Sequence, residues 1–273
     1  MADPVLTLMA VHAHPDDEAL GTGGILALYA DEGVRTVLVT CTNGELGDAP
    51  GGRKPGEPGH DEAVVVPLRL QELEASSSVL GISHLELLGY HDSGMEGWPQ
   101  NVAPGAFWQT PVAEAGHRLA ELMEKYQPQV VVTYDENGFY GHPDHIQANR
   151  ITLAAIAECK VPAKLYYTAV ARSAIEGMGD LLAKAGIERP AEIEETPDFG
   201  TPDELITTTV DCRSVVDRKF ASLAAHASQS DNIFFLQMGE ELFATMMGTE
   251  SFVRAQDSTG TPTPEDDLFA GLR

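Results

Sequence analysis

With 273 residues, 43% of them apolar, the chain is long enough for one large domain with its own core, and a single domain spanning 1–273 is expected. It carries 42 acidic against 17 basic side chains, a net charge of −25. Such a surface repels phosphate backbones and anionic lipid, so no nucleic acid and no membrane partner is expected, and a small-molecule substrate is. Cys41, Cys159 and Cys212 are far apart and form no CxxC, which argues against a disulfide framework and for a reducing compartment. The opening "MADPVLTLMAV" has no basic n-region, and no apolar run approaches the roughly 18 residues of a membrane span, so a cytoplasmic location is expected.

In chain order, the apolar run Val5–Val11 predicts a first strand, and Glu18–Glu32, with apolar residues at helical spacing, a helix stopped by Gly33. Val34–Cys41 predicts a second strand. The stretch 47–62, "GDAPGGRKPGEPGHDE", is too rich in Gly, Pro and charge for a core element and predicts a flexible loop, either a lid over a site or a solvent-facing insertion. Leu68–Leu80 reads as a helix ended by Gly81, Leu85–Gly89 as a third strand, and Pro111–Tyr126 as a helix. Gln129–Tyr134 is a fourth strand, followed by a helix from Pro143 to about Glu158. Leu165–Ala171 and Ile206–Val210 read as further strands, Arg213–Ala227 as a helix, and 257–273 as a polar tail closing on the apolar "LFAGL". Alternation of this kind implies an α/β, Rossmann-like fold: a mainly parallel sheet with helices on both faces.

Two stretches carry the chemistry. "VHAHPDDEA" packs two histidines and three acids just after the first strand, and "YGHPDHIQ" repeats His-Pro-Asp just after the fourth. In the common doubly wound order those strands are neighbours where strand order reverses, and ligands bind outside their carboxyl ends. Topology alone would therefore join the two halves into one site at the C-terminal ends of strands one and four. His14 and Asp17 are three residues apart, as are His142 and His145, which suits ligation of one ion from each turn. Asp16 and Asp144 lie between them. Three such ligands with an open position suit zinc, and two histidines with a carboxylate suit ferrous iron as well. Helix capping would explain Asp16 or Asp17 taken singly, but not a second His-Pro-Asp after a second strand. His12 reads as a strand-end histidine. His60, His84, His91, His117 and His226 read as structural or solvent-facing, with an approach of His226 to the site as the alternative. Gly21 and Gly23 begin a G-x-G, but position 26 is Leu, and His and Asp occupy the turn where a pyrophosphate would sit, so no dinucleotide site is expected.

"AHPDDE", "TCTNGELGD", "RLQELEASSSVLG", "GYHDSGM" and "GHPDHIQA", in this order, resemble the PIG-L/LmbE family of zinc-dependent N-deacetylases, most of all its actinobacterial mycothiol-pathway deacetylase/amidase branch. The resemblance implies hydrolysis of an N-acetyl group from an N-acetylglucosamine-type amino sugar or glycoside by a metal-activated water. By position it implies His14, Asp17 and His145 as metal ligands and Asp16 as general base. It also implies His142 as the group that stabilises the oxyanion or protonates the amine, tuned by Asp144, and Tyr140 as a mobile residue polarising the carbonyl. Arg69 and Asp92 match sugar-contacting positions, so loss of Arg69 is expected to raise KM. The metal is expected to be Zn2+, with Fe2+ possible in its place. The alternatives are an amidase cleaving a thiol-conjugate amide, a deacetylase of antibiotic biosynthesis and, more distantly, a non-catalytic sugar-binding protein. The amidase branch carries a lysine where this chain has Gly21, and the deacetylase branch a serine.

Overall fold

The computed structural model describes residues 5–187 and 200–273. Within them lie strands β1 (Thr7–His12), β2 (Arg35–Thr42), β3 (His84–Tyr90), β4 (Val130–Thr133), β5 (Lys164–Ala169), β6 (Thr208–Asp211) and β7 (Thr249–Asp257). They form one sheet in the order β3-β2-β1-β4-β5-β7-β6. β1 pairs in parallel with both β2 and β4, so the chain reverses its direction of winding between the two strands that precede the His-Pro-Asp turns. β7 runs antiparallel between β5 and β6.

Every residue of β1 is buried. Alternate side chains of a strand face opposite sides, and Met9 and Val11 pack with the helices Val112–Tyr126 and Pro143–Cys159. Leu8 and Ala10 pack on the other face with Ile25, Leu26 and Tyr29 from the helix Gly23–Asp31. Two-sided burial is what a parallel sheet requires. No helix among the described residues is long and apolar enough to cross a membrane.

Several elements differ from the reading of the sequence, and the helices Arg172–Ala185, Asp231–Gln237 and Gly239–Met247 were not expected at all. The helix expected over Glu18–Glu32 is broken at Thr22 (φ −145°) into Asp17–Gly21 and Gly23–Asp31. Thr22 Oγ1 lies 2.8 Å from His12 Nε2, a contact a continuous helix would not make. The new N-terminus is capped from a distance: Glu250 accepts the N–H groups of Gly24 and Ile25 at 2.7 and 2.9 Å, so a protein carboxylate occupies the amides that would face a pyrophosphate. The helix expected from Leu68 begins at Glu62, where Asp61 accepts the Ala63 N–H at 3.0 Å, and it contains Pro67. β7 has few apolar residues and was not expected as a strand; of its "SFV" centre only Phe252 is fully buried.

The stretch 47–62 forms turns pinned at one end. Asp48 pairs with Lys54 at 2.9 Å and accepts the Ser230 N–H at 3.0 Å, while Gln229 Oε1 accepts the Asp48 N–H at 3.0 Å. The tail is also anchored. Leu268 and Phe269 are fully buried beside Tyr29, and the Glu265 carboxylate receives Lys164 (2.5 Å), Arg254 (2.8 Å), Tyr166 (2.8 Å) and Thr208 (3.1 Å).

Candidate metal and catalytic site

β1 ends at His12 and the chain turns through Ala13–Asp16. Asp16 adopts φ 127°, ψ −24°, a conformation that costs an L side chain about 1–3 kcal/mol and persists only where the surroundings enforce it. On the β4 side the chain passes through Phe139 (φ 66°) before the helix Pro143–Cys159 starts. His142 is the N-cap of that helix: its Nδ1 accepts the Asp144 N–H at 3.1 Å, and Pro143 occupies the first position, where a missing N–H costs nothing. His145 then falls in the first turn.

Because β1 and β4 are neighbours, the two turns meet. The His14 ring centre lies 4.5 Å from that of His142 and 5.3 Å from that of His145. One ring nitrogen from each of the three falls within 4.8 Å of the others. Asp17 bridges the turns, with Oδ2 3.3 Å from His14 Nδ1 and Oδ1 3.4 Å from His145 Nε2. Tyr134 donates to Asp17 Oδ2 at 2.7 Å, as does the His14 main-chain N–H. On the other side of His14, Nε2 lies 3.3 Å from Asp144 and 3.7 Å from Asp92. Among the described residues, both ring nitrogens of His145 and one oxygen of Asp144 are buried without a hydrogen-bond partner. Buried polar atoms are rarely left so, and a set of imidazoles and carboxylates is the donor chemistry of a divalent cation. The residues present therefore fit a metal.

Electrostatics separates the groups. Burial pushes Asp16 up to about 6, with Arg69 as the largest opposing influence. Burial also acts on Asp17, but His145 and His14 overcome it and hold that carboxyl well below its ordinary range. Burial, then the neighbouring His14 and His145, pushes His142 far down, so its ring is neutral. A neutral ring whose Nδ1 accepts an N–H carries its hydrogen on Nε2.

Tyr140 is 47% exposed, its ring centre 5.0 Å from that of His145. Asp92 lies beside His14 and accepts the Gly94 N–H at 2.8 Å. Arg69 is only 4% exposed and turned onto the first turn: it donates to Pro15 O (2.5 Å) and Gly44 O (3.0 Å) and lies 3.1 Å from Asp16 Oδ2. His12 is buried between Thr22 and Tyr134, linked to Asp17 through the Tyr134 hydroxyl. Three neighbours were not singled out in the sequence. Tyr134 reads there only as the end of a strand, Glu45 holds the Asp92 N–H at 2.9 Å, and Glu18 pairs with His226 at 2.7 Å beneath Asp16. Of these, Glu18 and Glu45 stand inside the quoted motifs, the one signal that could have found them.

The family model described as GlcNAc-PI de-N-acetylase, PIG-L, matches residues 9–156. The chain is 42% identical over 289 residues to a 1D-myo-inositol 2-acetamido-2-deoxy-alpha-D-glucopyranoside deacetylase of Acidothermus cellulolyticus, covering 98% of this chain and 96% of the relative. In fold it resembles the N,N'-diacetylchitobiose deacetylase of Pyrococcus horikoshii (TM-score 0.60, 18% identity, 94% of this chain and 86% of that one). It equally resembles GalB, the 4-carboxy-2-hydroxymuconate hydratase of Pseudomonas putida (TM-score 0.61, 20% identity, 94% and 99%), so the architecture alone does not fix the chemistry. The family match and the near-full-length identity do fix the lineage: the chain belongs to the PIG-L, or GlcNAc-PI de-N-acetylase, family.

Proposed function

We propose that this protein is a metal-dependent deacetylase that hydrolyses the acetamide of an N-acetylglucosaminyl glycoside with a polyol aglycone of the inositol type, the class named for the 42% identical relative. The observation that carries the reading is Asp17 lying between His14 and His145, with both nitrogens of His145 unsatisfied among the described residues. His14, Asp17 and His145 would hold the ion, zinc or ferrous iron. When bound, such an ion polarises a carbonyl and lowers the pKa of adjacent water.

The protein groups divide the remaining work. The Asp16 carboxylate takes a proton from the attacking water, then returns it to the nitrogen as the C–N bond breaks. His142 has its hydrogen on Nε2, so that nitrogen has no lone pair for a metal and is instead a donor for the oxyanion. Tyr140, on the exposed turn, is a second donor, and Asp144 fixes His142 through its N–H. Asp92, beside His14, is the group left for sugar hydroxyls, since the buried Arg69 turns its donors onto Pro15, Gly44 and Asp16. A cytoplasmic location fits the acidic, cysteine-poor chain.

Release of acetate tests the reading, measured on 1D-myo-inositol 2-acetamido-2-deoxy-α-D-glucopyranoside, free N-acetylglucosamine and a thiol-conjugate amide. The inositol glycoside is expected to be the best substrate by kcat/KM. Turnover of the thiol conjugate alone would make the protein an amidase, and turnover of none would refute the proposal.

A further inference from the structure

Behind the Asp16 turn lies a buried polar cluster that the chemistry above does not use. Glu18 and His226 are both 0% exposed, and Glu18 Oε1 lies 2.7 Å from His226 Nε2. Ser76 donates to the same oxygen at 2.5 Å and is itself 2.7 Å from Ser222 Oγ. These groups come from the helices Asp17–Gly21, Glu62–Leu80 and Val216–Ala225, and from the residue closing the last. The other Glu18 oxygen, Oε2, accepts the main-chain N–H of Asp16 at 3.1 Å.

That last bond has a geometric consequence. The peptide plane before Asp16 has two handles, the Pro15 carbonyl and the Asp16 N–H. Arg69 holds the first at 2.5 Å and Glu18 the second. The plane after Asp16 is held by its carbonyl, which accepts the Ala19 N–H at 3.0 Å. With both planes fixed, φ and ψ of Asp16 are fixed at their left-handed values, and so is the direction of its Cα–Cβ bond.

We propose that Glu18, anchored by His226 and Ser76, is the positioning residue for Asp16, imposing the backbone conformation that aims its carboxylate into the site. Burial opposes charge on both partners of the pair. The attraction between them outweighs it, leaving Glu18 below and His226 above its ordinary value. Three helices thus meet at one carboxylate whose other oxygen holds the main-chain N–H of the general base.

The inference rests on Asp16 acting as base, as proposed above, and its test has one arm that does not. His226→Leu removes the anchor, and His226→Gln returns a donor to Glu18. In metal-free protein the backbone amide signal of Asp16 is followed by NMR. It is expected to shift and exchange faster in the Leu variant and to return toward wild type with Gln. In loaded protein the Leu variant is expected to lose kcat on the order of 10–100-fold, the scale of a misaimed catalytic group, at a KM within about twofold, with Gln again restoring it. Should the Leu variant not fold, Ser76→Ala is expected to show the same changes at smaller size. An Asp16 amide unmoved in every variant, or a kcat lost through the Leu change and not recovered with Gln, would overturn the proposal. A wild type that releases no acetate would instead overturn the deacetylase reading, while the amide signal still decides this one.

Discussion

Asp17 and His145 stand on turns that follow different strands, yet Asp17 Oδ1 lies 3.4 Å from His145 Nε2. The other Asp17 oxygen faces His14 at 3.3 Å. One carboxylate thus spans two histidines. Replacing Asp17 or His145 by Ala is expected to reduce bound divalent metal to a small fraction of one per chain by elemental analysis. His142→Ala is expected to keep the ion and lose on the order of 10²–10³ in kcat, as for a missing oxyanion donor. Metal lost from the His142 variant would instead make the close cluster of His14, His142 and His145 the ligand set.

Arg69 reads from the sequence as a sugar contact, but its donors are turned onto Pro15, Gly44 and Asp16. The expected effect of Arg69→Ala therefore moves from KM to kcat, with a loss on the order of 10–100-fold. Steady-state kinetics on the inositol glycoside separate the two: a raised KM with kcat intact would restore the sugar-binding role.

The Glu18–His226 pair also gives a pH signature in stability. Burial lowers His226 and Glu18 raises it, and the net shift is upward from 6.5. A group raised on folding contributes stability that is fully present below its unfolded value and is lost as pH climbs through the folded one. In metal-free protein the Tm advantage of wild type over His226→Gln is therefore expected to be largest below about pH 6.5 and to shrink at higher pH. An advantage that grows with pH would show His226 buried in its neutral form.

The tail is held by a buried charge and two apolar side chains. Truncation after Thr261 removes Glu265, leaving the fully buried Lys164 without its carboxylate, and removes Leu268 and Phe269. Burial of such side chains is worth roughly 1.5–3 kcal/mol each, and an orphaned buried charge adds to the loss. A fall in Tm of more than about 5 °C is expected by calorimetry. An unchanged Tm would make the tail a passive terminus.

What the sequence made legible is local or topological. The His-Pro-Asp turns carry their side chains at fixed short spacings, and the strand order that joins them follows from alternating β and α units. Contacts between distant segments left no such trace. His226 is 208 residues from Glu18, and nothing in "LAAHASQ" points to an acid in the first motif. β7 escaped because a strand between two others at the sheet's far side needs only Phe252 fully buried. Thr22 breaks the first helix through a tertiary contact with His12, which helical periodicity cannot show.

The most direct test joins the metal to the chemistry. Chelated protein is titrated with Zn2+, and in parallel with Fe2+ under anaerobic conditions, while acetate release from the inositol glycoside is followed. The expected result is no turnover without metal, and a rate that rises linearly to a plateau at one ion per chain in wild type but not in His145→Ala. Full acetate release from metal-free protein, or an undiminished plateau in His145→Ala, would contradict a metal-dependent deacetylase built on His14, Asp17 and His145.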